Sequence, residues 1–126
     1  MGLAGGSRHG PGPSAELNGY PGPLHVLELA DQLELSTDVR ERVRQLYDAM
    51  RAEAIPIGEA LITHETALDH AFAGRSISPS TLALLTAQIG ETQGRLRAIH
   101  LKYHLTTAEL LSADQRHRYA ELRGYH

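Results

Sequence analysis

Eight histidines stand among the 126 residues of this chain, and cysteine is absent. That combination removes thiol nucleophiles, disulfide scaffolds and Cys-ligated metal centres, and it leaves imidazole as the chemistry to examine. His100 and His104 are four residues apart, so on a helix they lie one above the other on a single face. Two imidazoles at that spacing can converge on one metal ion. His25 and Glu28 repeat the arrangement at a spacing of three near the start of the folded part. A site made of His25, His100 and His104, with Glu28 as the carboxylate, is nitrogen-rich. It suits zinc, copper, nickel or cobalt and does not suit calcium or magnesium. The same pairs can equally be surface residues beside an apolar stripe. His64 and Glu65 interrupt the apolar stripe of their helix and are expected to face water. His70, His117 and His126 have no spaced partner, and His9 lies in a Gly/Pro-rich segment.

Catalytic patterns are missing. No G-x-S-x-G elbow occurs, Gly90 and Gly94 do not make a phosphate loop, and Leu68 stands where H-E-x-x-H needs its second histidine after His64. The chain is therefore not expected to be an enzyme. A net charge of −3 provides no basic field for nucleic acid. No apolar run is long enough to span a membrane, and no signal peptide is visible.

The elements that would position the histidines are all helical. Residues 1–23 hold seven of the twelve glycines and four of the six prolines, which reads as a flexible leader. Residues 24–126 form the helical domain. Leu24, Leu27, Leu33 and Leu35 outline a short first helix. Ser36, Thr37 and Asp38 break it and cap the next. Val39, Val43, Leu46, Met50, Ala54, Ile57, Leu61, Leu68 and Phe72 then step by threes and fours along a long second helix. Pro56 is expected to kink that helix, and Gly74 to end it in a left-handed cap. Ser78-Pro79 starts a third helix with a seam from Leu82 through Ile89, Leu96, Ile99 and Tyr103 to Leu110. A last short helix runs from Gln115 to Arg123 and ends at Gly124. Two long helices joined by a short turn fold antiparallel. The expectation is an all-α, four-helix hooked hairpin with two long central helices, and its thin core points to a homodimer.

Leu35-Ser36-Thr37-Asp38-Val39-Arg40 and Leu111-Ser112-Ala113-Asp114-Gln115-Arg116 share the pattern Leu-Ser-x-Asp-x-Arg, each at a helix break. The second copy resembles the Leu-Thr-x-x-Gln motif of the Spy/CpxP group of periplasmic proteins, and the first resembles a degraded copy. The order of Pro23-Leu24-His25-Val26-Leu27, a long helix, Ser78-Pro79, and His100-x3-His104 before a Leu-x-x-x-Gln turn is similar to periplasmic heavy-metal sensors of the CnrX type, relatives of the zinc-binding ZraP branch. That resemblance covers roughly residues 22–123. It implies a metal site in which His25 and His100 match sensor histidines. His104 stands where the sensor has Met, and Leu29 where it has a second His. The sensor's carboxylate falls near Tyr47 and Asp48. It also implies a periplasmic location, with a signal or anchor absent from this sequence, and a membrane-bound regulator as a partner. The alternative is a Spy-like chaperone that binds unfolded clients. In that reading Arg40, Arg42, Arg44 and Arg51 belong to a client surface rather than to a solvated helix face.

Overall fold

The computed structural model describes residues 15–125, and among them every regular element is helical. Four helices follow in order: α1 (Pro23–Glu28), α2 (Thr37–Ala73), α3 (Pro79–Glu109) and α4 (Ala113–Leu122).

Local chemistry fixes the starts. Pro23 and Pro79 open α1 and α3, where a missing N–H removes no helical bond. Ser36 and Ser78 each accept a backbone N–H three residues on, from Val39 at 3.1 Å and Thr81 at 3.2 Å. Ser112 and Gln115 form a reciprocal capping box at α4.

The repeated Leu-Ser-x-Asp-x-Arg pattern thus has a physical content. Leu35 and Leu111 are buried, and the serine after each caps a helix. Arg40 reaches Asp31 at 2.8 Å. Arg116 donates to the carbonyls of Ala108 and Leu111 at the end of α3. Gln115 also donates to the Leu33 carbonyl, which ties α4 to the segment after α1.

Two sequence expectations are corrected. The first helix stops at Glu28, and Leu33 and Leu35 enter the core from turns rather than from a helix. Their hydrophobicity demands burial, and turns satisfy it as well as a helix would. Helix α2 continues through Pro56 as a single element, as the in-phase apolar stripe implies. Gly74 does cap α2, but at φ −85°, and the left-handed residue is the next one, Arg75, at φ 55°.

Helices α2 and α3 make the main packing contact. Between them Glu53 of α2 accepts hydrogen bonds from Lys102 and Tyr103 of α3. Buried threonines on α3 are satisfied within the helix: Thr107 donates to the Tyr103 carbonyl at 2.6 Å and Thr92 to that of Gln88 at 2.8 Å. The core gathers at one end. There Val26 of α1, Ala30, Leu33 and Leu35 of the following turns, Val43 of α2, Leu111, and Tyr119 of α4 pack together.

Candidate metal centre

Beside that core lies a pocket of about 220 Å³ lined by Glu16, Gly22, Pro23, Leu24, His25, Met50, His100 and His104. Four parts of the chain meet there: the segment before α1, α1 itself, the middle of α2, and the last third of α3. Three of the five residues singled out in the sequence line it. Glu28 does not, and neither does Asp48, which is exposed on α2.

Each imidazole is held differently. The Nδ1 of His104 donates to the Tyr20 carbonyl at 2.7 Å, and His104 itself is 7% exposed. A carbonyl only accepts, so the proton sits on Nδ1 and the lone pair on Nε2. His25 Nδ1 lies 2.9 Å from Glu28 Oε1, which likewise directs its lone pair to Nε2. In metal proteins a ligating histidine is oriented by an acceptor on its other nitrogen. Glu28 is bonded to His25 and stands outside the pocket lining. His100 has no such partner: its Nδ1 is buried and bonded to nothing. Burial pushes its pKa below the ordinary value, and the neighbouring His104 adds to the shift. A neutral imidazole with an orphaned nitrogen is a ready ligand.

Sequence reasoning missed two members. Met50 was read only as part of the α2 seam; it is half-buried and brings a soft thioether to the pocket wall. Glu16 was assigned to a flexible leader, yet it is 6% exposed. Its Oε1 accepts from the Tyr125 hydroxyl at 2.6 Å and lies 3.7 Å from Arg123 Nε. Glu16 and residues 21–23 are therefore packed against the helices, while residues 17–20 are exposed. Residues 1–14, and with them His9, lie outside the described residues.

The donors share a pocket without forming a cage. Among the described residues no three His, Asp or Glu side chains are gathered closely enough to hold an ion. The donor chemistry fits a borderline or soft transition metal: three nitrogens, one of them orphaned, and a thioether. Its assembly requires the rings to turn toward one another.

The other histidines stay apart. Glu65 and His70 are exposed, and His64 is half-buried in a separate hollow with Ala60, Leu84 and Gln88. His117 lies 3.7 Å from Glu121 on an exposed face. His126 lies outside the described residues. The basic stretch of α2 is engaged locally. Arg42 pairs with Asp38 and Arg44 with Glu41, while Arg51 lies over the Tyr47 ring. No described helix is long and apolar enough to cross a membrane.

A family model described as heavy-metal resistance matches residues 2–118. No curated protein and no solved structure matches the chain.

Proposed function

Because the chain belongs to the heavy-metal resistance family, we propose that it is a non-enzymatic, periplasmic metal-binding protein, a sensor or resistance accessory. It takes one divalent transition metal through His25, His100 and His104. The observation that carries this reading is that the three histidines, distant in sequence, line one pocket beside the orphaned Nδ1 of His100. Met50 supplies a fourth, softer donor to the same wall. A bound cation would bridge α1 to α3 and so bias the packing of a short helix on a long one, which is how local binding becomes a signal to a membrane-bound regulator.

The finer architecture belongs to the same proposal. The cross-links of Glu53 with Lys102 and Tyr103 suit two long helices folded antiparallel. The exposed Ile62, Leu82 and Leu84 suit a second copy packed along them.

Calorimetric titration with zinc, copper and nickel tests the reading. Saturable binding near one ion per chain is expected for the wild type, and its loss in the double variant His100→Ala/His104→Ala. A wild type that takes up none of these metals overturns it. The second reading, a chaperone for unfolded chains, draws on the same exposed apolar residues of the long helices. It requires suppression of client aggregation by metal-free protein.

A further inference from the structure

One side of the pocket is closed by chain that precedes α1. Gly22 lies so close to the His104 ring that a Cβ added there would stand 2.8 Å from Nε2 and 2.9 Å from Cε1. Nε2 is the nitrogen that carries the lone pair, since Nδ1 donates to the Tyr20 carbonyl. The segment that fixes the tautomer of His104 therefore also covers its donor atom. The segment is held at its two ends. Near α1, Pro21, Gly22 and Pro23 are buried. At the far end, buried Glu16 is bound by Tyr125 and Arg123 of the C-terminal segment. Between the ends the packing is poor: Leu17 is 63% exposed, and Gly19 turns the chain at φ +89°.

We propose that residues 15–22 are a strap latched by Glu16 to Tyr125 and Arg123, which covers Nε2 of His104 in the pocket and which a binding metal must lift. This rests on the function proposed above. It accounts for donors that line one pocket without forming a cage, because the strap occupies the approach to His104. It makes metal binding and release of the C-terminal latch a single event. The apparent affinity is then reduced by the fraction of molecules in which the strap is closed.

Two variants open the latch, Tyr125→Phe and Arg123→Gln, neither of them at a residue that lines the pocket. Both leave every pocket histidine in place. Zinc titrations and amide hydrogen exchange, with and without zinc, are read on the full chain. Each variant is expected to bind zinc about tenfold more tightly than wild type, the equivalent of losing one hydrogen bond to a charged group from the closed state. Amides of residues 15–22 are expected to exchange faster in metal-free variants, and faster in the wild type once zinc is added. Variants that bind no more tightly than a zinc-binding wild type, or a strap whose exchange zinc leaves unchanged, overturn the strap and leave the metal site standing. A wild type that fails to bind overturns the strap together with the function it rests on.

Discussion

Where α1 and α4 fold onto the long helices, Val26 and Val43 are fully buried and Leu33, Leu111 and Tyr119 nearly so. Toward the connection between α2 and α3 only those two helices meet, and Ile62, Phe72, Leu82 and Leu84 are exposed. The same three-four spacing of apolar residues runs through both regions. What differs is the number of elements available to cover it. A pair of helices buries one stripe, and a third and fourth are needed to enclose a core. The histidine pocket lies in the enclosed region, where α1, α2 and α3 all reach it and where burial can orphan an imidazole nitrogen. The open region leaves its apolar residues exposed.

The comparison is broken most easily by truncating one leucine in each region. Leu33→Ala removes a side chain that is 2% exposed and is expected to cost about 2–5 kcal/mol. Leu84→Ala, at 59% exposure, is expected to change stability by less than about 0.5 kcal/mol. Urea denaturation measures both. A large cost for Leu84→Ala that grows with protein concentration would mean that a second copy covers the open region.

Glycines sharpen the contrast by reversing its sign. Alanine at Gly22 would press on the His104 ring at 2.8 Å, and the strap or the ring must move. A cost of about 1–3 kcal/mol is expected, with loss of the Tyr20–His104 bond visible as a changed tautomer in histidine NMR. Alanine at Gly90, inside α3 with nothing within 4 Å of its Cβ, is expected to stabilise by about 0.5–1 kcal/mol. Equal effects at the two positions would show that the pocket is not tightly closed.

Ser112→Ala tests how firmly α4 is held over the enclosed end. It removes one half of the capping box and is expected to cost about 1 kcal/mol. Because Gln115 also bonds the Leu33 carbonyl at 3.2 Å, that loss is expected to reach the turns after α1, read as faster amide exchange at Leu33 and Leu35.

Much of this was legible in the sequence because it is local. Ser36, Ser78 and Ser112 announce helix starts through bonds to residues three further on, and the stacking of His100 on His104 follows from the helical repeat alone. His25 was legible through order and spacing along the chain. The close packing of Pro21-Gly22-Pro23 beside the His104 ring was not, because glycine and proline carry no periodicity that announces a contact. Met50 was hidden by sitting on an apolar stripe, where a pocket ligand and a core residue look alike. Glu28 was a candidate through spacing and Asp48 through the resemblance to the heavy-metal sensors, and only their positions in space show that the one is bonded to His25 and the other is exposed.

The smallest expected effect is on pH dependence, and it is confined to the enclosed end. The buried Nδ1 of His100 has no partner, and burial followed by the neighbouring His104 holds its pKa below the ordinary 6.5. The unfolded chain then binds this proton more readily than the folded one. The contribution to stability is present above about pH 6.5 and is lost as the pH falls from there toward the lower folded value. Glu53 works in another window. Its hydrogen bonds from Lys102 and then Tyr103 hold its carboxyl below the usual 4.5, so what it contributes persists until the pH drops under that value. Unfolding midpoints in urea at pH 7.5 and 5.5 therefore isolate the histidine. The wild type is expected to lose more stability between the two than His100→Asn, which keeps a polar side chain but cannot take up the proton. Equal losses would mean that water reaches His100 freely and that its Nδ1 is not left without a partner.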